Sequence, residues 1–130
     1  MDTVSQQLTV ATDTKGIGLK TMLLPEIIFI EYVRSVKGIM VHSLDSQGFL
    51  PGPFSFWVST LQGSGLSTLF PVDRNNALNL AKIELLDPKF NKAYFEKVVT
   101  RKDKVCTIAL ANFNAVIQEL KNINRMYKIV

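Results

Sequence analysis

A turn that carries one arginine and two asparagines lies between two apolar segments of the chain. In the stretch FPVDRNNALNLAKI (residues 70–83), the polar residues are Asp73, Arg74, Asn75 and Asn76. Four consecutive polar residues usually form a turn, and the apolar residues that follow at once predict a return to the core. The turn therefore presents a guanidinium group and two amides, which are groups that can bind a partner through hydrogen bonds.

The basic residues are concentrated in the second half of the chain. The 130 residues include 15 Lys and Arg against 11 Asp and Glu, which gives a formal net charge of +4. Residues 66–130 contain eleven of the basic residues, and six of these fall in KFNKAYFEKVVTRKDK, residues 89–104. The surplus indicates an anionic partner, while a solvated hairpin is the alternative explanation for the basic run.

Several other chemistries are disfavoured by the residue types present. Cys106 is the only cysteine, so no disulfide can form within the chain, and its apolar neighbours predict a core position. A reducing, cytoplasmic environment fits this cysteine usage. His42 is the only histidine, which argues against a zinc site. No P-loop, dinucleotide-binding glycine motif or nucleophile motif occurs, so we predict neither an enzyme nor a cofactor.

The pattern of apolar residues predicts a chain made mostly of short strands. The clearest runs are LTVATD (8–13), IGLKTML (17–23), IIFIEYV (27–33) and IMVHSL (39–44). FLPGP (49–53) is predicted to be an edge or irregular strand, because proline cannot donate to a strand ladder. No helices separate successive strands, which favours antiparallel hairpins. The sequence has neither a signal peptide pattern nor an apolar window long enough to span a membrane.

Two segments have the spacing of helices. Phe54, Trp57, Val58 and Leu61 fall at i, i+3, i+4 and i+7, which predicts one helix with these side chains in the core. Pro53 before it and Gly63 after its end suit the boundaries. The same spacing recurs in the tail at Phe113, Val116, Ile117 and Leu120, with Asn112 as the predicted N-cap.

The order of these elements resembles the LytTR-type DNA-binding domain, the output module of many bacterial response regulators. LLPEIIFIEYV (23–33) is similar to a family strand that ends in an acidic residue, here Glu31. LFPVDRNNALNLAKI (69–83) is similar to a family segment with Arg, Asn and Ile, here Arg74, Asn79 and Ile83. The two helical segments and the hairpin before the second one also occur in the family order. The resemblance covers about residues 8–121.

The resemblance implies a mainly β fold. The expected form is an elongated arrangement of about ten short antiparallel strands in three small sheets, with a short mid-chain helix and a C-terminal helix. It implies a single DNA-binding domain over residues 1–130, with a core of about 8–121 and no receiver domain. The implied function is sequence-specific transcriptional regulation, in which loops enter successive major grooves of double-stranded DNA. Pairing with a second copy on direct repeats is also implied.

Three contact regions follow from the resemblance: the loop Arg34–Lys37, the turn around Arg74, and the loop Ala111–Asn114. Arginine can bond O6 and N7 of guanine, and asparagine can bond N6 and N7 of adenine. Further lysines and arginines would neutralise phosphates. The expected DNA-binding residues are Arg34, Lys37, Arg74, Asn75, Asn76, Lys92, Arg101, Lys102, Lys104, Asn112 and Asn114.

The chain departs from the family pattern at two of these places. Asp73 stands where the family usually has histidine, and Ala111 stands near a position that is often basic. Both changes favour an alternative in which the same fold binds DNA weakly and acts through contact with a regulatory partner protein. A small enzyme or ligand-binding β-domain is a third possibility, but the chain lacks paired carboxylates and a histidine–nucleophile set to support it.

Overall fold

The structure is a computed structural model, and it describes residues 6–96 and 104–129. The described residues form eleven strands, two α-helices and four short 3₁₀ turns. The helices are α1 (Phe54–Gly63) and α2 (Phe113–Asn122). The strands are β1 (Gln7–Ala11), β2 (Leu19–Leu23), β3 (Phe29–Val33), β4 (Gly38–His42), β5 (Gln47–Pro51), β6 (Leu69–Pro71), β7 (Asn76–Asn79), β8 (Leu85–Asp87), β9 (Lys92–Tyr94), β10 (Val105–Thr107) and β11 (Lys128–Ile129).

The strands form one large sheet and one small sheet. The large sheet has the order β2-β1-β5-β4-β3-β7-β6, and the small sheet has the order β10-β9-β8-β11. All pairings among the described strands are antiparallel except that of β11 with β8, which is parallel. The mainly β fold with two helices is therefore confirmed.

The resemblance implies three small sheets, whereas the strands of the described residues form two. The reason lies in two lateral pairings that make the large sheet continuous. Ala11 of β1 pairs with Phe49 of β5, and Phe29 of β3 pairs with Leu78 of β7. The segment FLPGP was expected at an edge, but β5 lies between β1 and β4. It tolerates Pro51 because this residue is the last of the strand and lies beyond the pairing with β1.

The central strands of the large sheet are buried on both faces, as successive residues of β3 and β7 show. Side chains alternate between the two faces of a strand. Phe29 of β3 lies in one apolar cluster and Ile30 in another, and Leu78 and Ala77 of β7 divide in the same way. This arrangement explains why the run IIFI (27–30) is continuously apolar, because both faces of its strand need apolar side chains.

Helix α1 covers one face of the large sheet. Val58 and Leu61 are buried there, as their spacing predicts. Trp57 differs from the core position expected for it, since it is half-buried at the margin of this cluster. Its indole Nε1–H donates a hydrogen bond to the Pro51 carbonyl over 2.8 Å, so the ring lies between the core and the end of β5.

Helix α2 and the small sheet cover the other face. Phe113, Val116 and Leu120 are buried against it, together with Cys106 of β10. Burial raises the pKa of the Cys106 thiol far above its usual value, so the side chain packs as a small apolar group. The hairpin of β9 and β10 is confirmed, and the residues 97–103 that connect it lie outside the described part of the chain.

Candidate nucleic-acid interface

The first two expected contact loops meet at one end of the large sheet. β3 runs antiparallel to β7, with Glu31 opposite Asn76, so the loop after β3 and the turn before β7 lie side by side. The backbone N–H of Tyr32 donates to the carbonyl of Asn75 over 2.6 Å and fixes this contact. The sheet register therefore brings together two segments that are about forty residues apart in sequence.

The turn before β7 is shaped by the side chain of Asp73. Its Oδ1 accepts hydrogen bonds from the backbone N–H groups of Asn75 and Asn76 at 2.8 and 2.7 Å. Its Oδ2 accepts from the Asn76 side chain at 3.0 Å. An Asx turn of this kind is a local alternative to regular strand pairing. The carboxylate thus holds Asn75 and Asn76 in place, and Arg74 and Asn75 are exposed.

The loop between β3 and β4 is equally constrained. Arg34 and Lys37 are exposed, and Lys37 adopts the left-handed conformation with φ of 51°. Its carbonyl accepts a hydrogen bond from the N–H of Gly52 at 3.0 Å. Gly38 follows directly, and a Cβ atom there would lie 2.4 Å from the Phe49 ring and 2.6 Å from the Leu50 carbonyl. This close approach requires glycine and sets where Lys37 is presented.

The third loop is joined to the turn by Asn112. The side-chain Nδ2 of Asn112 donates to the Val72 carbonyl over 2.7 Å, next to Asp73. Asn112 occupies the N-cap position of α2, as predicted, but it makes no capping hydrogen bond with its side chain. Ala111 and Asn114 are exposed on either side of it. The three expected contact regions therefore lie next to one another, and Asn112 contributes by holding two of them together.

Besides Asn112, two further predicted contact residues bond to other groups of the protein. Asn76 is half-buried, and its amide bonds to Asp73. Lys104 donates from Nζ to the Ser46 carbonyl at 2.5 Å and contacts His42 Nδ1 at 3.1 Å. Ser46 lies in the turn at the far end of β4 from Lys37, so the Lys104 side chain bonds at the end of β4 opposite the first contact loop.

Of the remaining predicted phosphate contacts, one lies in the described residues and two lie outside them. Lys92 lies half-buried at the start of β9, and its Nζ lies 6.0 Å from the centre of the Phe90 ring. Arg101 and Lys102 lie outside the described residues. A phosphate contact by the hairpin that contains them stays a prediction.

A partly buried cluster of His42, Glu31 and Lys104 links the large sheet to the start of β10. His42 Nε2 donates to Glu31 Oε1 at 2.7 Å, and Lys104 approaches the other ring nitrogen. The hydrogen bond from His42 is the largest influence on Glu31 and holds the pKa of its carboxyl below the usual value, although burial opposes this. Burial lowers the pKa of Lys104. The His42 ring also stacks on Phe29, with 4.3 Å between ring centres.

One residue of the family-like segment has a role that sequence reasoning did not assign. Asn79 is 2% exposed, and its Nδ2 donates to the Ile27 carbonyl at 2.8 Å. Its Oδ1 accepts from the Ala81 N–H at 3.2 Å and from the Thr68 hydroxyl. Asn79 therefore joins neighbouring segments inside the core. Its position as a polar residue within an apolar run could have predicted this role, because a buried amide must be hydrogen-bonded.

Within residues 6–96 and 104–129, no group of three or more His, Cys, Asp and Glu side chains is placed to hold a metal ion. None of the helices in that part of the chain has the length and apolar character needed to cross a membrane.

The fold is that of a LytTr DNA-binding domain. The chain superposes on the LytTr DNA-binding domain of a Bacillus cereus protein described as a methyl-accepting/DNA response regulator, with a TM-score of 0.63. The superposition covers 91% of this chain and 97% of the other, and the two sequences are 12% identical. No protein-family model matches the sequence, and no curated protein does. The similarity thus extends over nearly the whole chain at the level of the fold.

Proposed function

We propose that this chain is a sequence-specific DNA-binding transcriptional regulator that presents three adjacent loops to double-stranded DNA. The observation that carries the proposal is the row of loops at one end of the molecule, joined by the Tyr32–Asn75 and Asn112–Val72 hydrogen bonds. The similarity of the fold to a LytTr DNA-binding domain supports it.

The side chains divide into two roles in this proposal. Arg74 and Asn75 are exposed on a turn that Asp73 holds in shape, and they are the residues we assign to base edges. Arg34 and Lys37 are exposed on the neighbouring loop and are assigned to phosphates. Asn114 is exposed in the third loop and is a further candidate for base contact.

The second candidate function is weak DNA binding combined with contact to a regulatory protein. Ala111 is exposed where the third loop could have carried a cation, so this loop adds no charge to attract phosphate. Asp73 adds a negative charge between Val72 and Arg74. Both features reduce the expected electrostatic contribution to binding.

A salt titration on duplex DNA distinguishes the two candidates. A fluorescent mixed-sequence duplex is titrated with the chain at several salt concentrations, and the logarithm of affinity is plotted against the logarithm of salt. A regulator that contacts phosphates gives a steep decline, and the variants Arg34→Gln and Lys37→Gln should each reduce the slope by about 0.9. Lys15→Gln is the matched control, because Lys15 is exposed in the β1–β2 hairpin, away from the three loops.

The absence of binding at low salt would refute DNA-directed function and favour the protein-contact alternative. If binding is found, a site selected from random duplexes is then tested in one and in two directly repeated copies. Cooperative occupancy of the repeated site is expected if two copies of the chain bind as a pair. Independent occupancy of the two sites would contradict pairing and leave DNA binding itself intact.

A further inference from the structure

The hairpin tip between β8 and β9 combines an exposed aromatic ring with two lysines. Phe90 is 59% exposed, and the Nζ atoms of Lys89 and Lys92 lie 5.4 and 6.0 Å from the centre of its ring. Both distances are within the range of a cation–π contact. The tip therefore presents an apolar surface with two positive charges next to it.

The conformation of the tip is set by its own backbone. Asp87 is buried, and its Oδ1 accepts hydrogen bonds from the N–H groups of Lys89 and Phe90 at 3.0 and 3.3 Å. Asn91 adopts the left-handed conformation with φ of 54°, which closes the turn. Asp87 pairs with Lys92 across the hairpin. Phe90 is thus held outward by a hydrogen-bonded turn.

The tip adjoins the third loop of the proposed DNA interface. The Asn91 carbonyl accepts a hydrogen bond from the N–H of Ile108 at 2.7 Å, and the third loop begins three residues later at Ala111. Asn112 in that loop bonds to Val72, beside the Arg74 turn. The tip consequently extends the row of loops, and it adds two cations next to a loop that has none.

We propose that this tip is a fourth DNA contact, in which Phe90 enters the minor groove and Lys89 and Lys92 neutralise the phosphates on its two sides. The inference rests on the proposed function and adds a site to it. Phenylalanine is one of the side chains that proteins insert between base steps from the minor groove. That groove is about 6 Å wide and lined by phosphates, which suits a ring flanked by two ammonium groups.

Single variants of the tip distinguish the contribution of the lysine charges to DNA binding from that of the Phe90 ring. Binding of the chain to a mixed-sequence duplex is measured over a salt series for Lys89→Gln, Lys92→Gln, Phe90→Ala and Phe90→Leu. Each lysine variant should reduce the slope of log affinity against log salt by about 0.9. Phe90→Ala should weaken binding about tenfold with little change in slope, because the lost contact is uncharged. Phe90→Leu should retain most of the affinity, since leucine also serves as an apolar wedge.

The controls make the outcome decisive. Lys15→Gln removes an exposed lysine away from the row of loops and should leave affinity and slope unchanged. If the tip variants behave like Lys15→Gln while the wild-type chain binds duplex, the tip is a solvated hairpin and this inference alone is refuted. If the wild-type chain does not bind duplex at low salt, the proposed function fails and the inference fails with it. Melting temperatures of the Lys15, Lys89 and Phe90 variants should match the wild type, because these side chains are exposed.

Discussion

Arg74 is the exposed charge that the turn before β7 presents, and its proposed role is to read a base. Arg74→Ala should cost about 1–3 kcal/mol of binding free energy on a selected site. Arg74→Lys keeps the charge but loses the planar fork, so it should lose discrimination while retaining affinity for random duplex. Binding to selected and random duplexes is compared by fluorescence anisotropy. If Arg74→Ala weakens binding to the selected and the random duplex equally, Arg74 contacts phosphate only.

Asp73 has two effects that substitution can separate. Its carboxylate accepts three hydrogen bonds within the turn and also places a negative charge beside the proposed interface. Asp73→Asn keeps an oxygen acceptor and removes the charge, so DNA affinity should rise while the free energy of unfolding changes little. Asp73→Ala should lower the free energy of unfolding by about 1 kcal/mol and disorder the turn, because backbone donors lose their acceptor.

Chemical denaturation and the salt titration together test both Asp73 variants. Weaker DNA binding by Asp73→Asn than by the wild type would contradict a repulsive effect of the charge. It would point instead to a direct contact of the carboxylate, such as one with N4 of cytosine.

Helix α1 depends on a tryptophan that is only half-buried. Trp57→Ala should lower the free energy of unfolding by about 2–3 kcal/mol, toward the lower end for a large aromatic residue, because part of the ring is already in water. Trp57→Phe should retain most of this packing and lose only the hydrogen bond to the Pro51 carbonyl. Urea unfolding measures both. An unchanged unfolding midpoint with loss of DNA binding would make Trp57 a contact residue.

The free energy of unfolding should depend on pH through Glu31, which joins β3 to His42 of β4. The hydrogen bond from His42 lowers the pKa of Glu31 below its ordinary value of 4.5, so the carboxylate stabilises the fold above that pH. This stabilisation is lost as the pH falls through the lowered pKa. Glu31→Gln should therefore reduce the free energy of unfolding at pH 7, and the difference from the wild type should shrink in acid.

The magnitude at neutral pH should be about 0.5–1 kcal/mol, because water screens a side chain that is partly exposed. The Glu31 side chain is 41% exposed, which is why the smaller range applies. Glu26→Gln is the matched control, since Glu26 is exposed in the 3₁₀ turn before β3. A difference between Glu31→Gln and the wild type that persists unchanged at low pH would show that the effect comes from packing rather than charge.

The two apolar clusters should unfold together, because they share the central strands of the large sheet. β3 contributes Phe29 to one cluster and Ile30 to the other, so neither can lose its packing without exposing the other side of the same strand. Trp57 is the only tryptophan and reports on the α1 side, whereas far-ultraviolet circular dichroism reports on all strands. The two signals should give coincident urea transitions. Separate midpoints would show that the two faces fold independently.

Local patterns in the sequence determined most of the elements. The i, i+3, i+4, i+7 spacings predicted both helices, and the apolar runs predicted both ends of strands β1 to β4 to within two residues. This is possible because side-chain periodicity depends only on neighbours in the chain. The turn at Arg74 was also identified, since its polar residues interrupt apolar ones. The similarity of the whole order to a LytTR-type domain agrees with the observed fold.

Only the tertiary structure decided which of the basic and amide side chains face outward together. Asn112 bonds to Val72, 40 residues away, and Lys104 bonds to Ser46, 58 residues away, so neither orientation follows from local sequence. The same is true of the central place of β5, which depends on its pairing with β1. These contacts join distant segments through strand register and buried hydrogen bonds, and a polar residue's type does not reveal whether its partner lies inside or outside the protein.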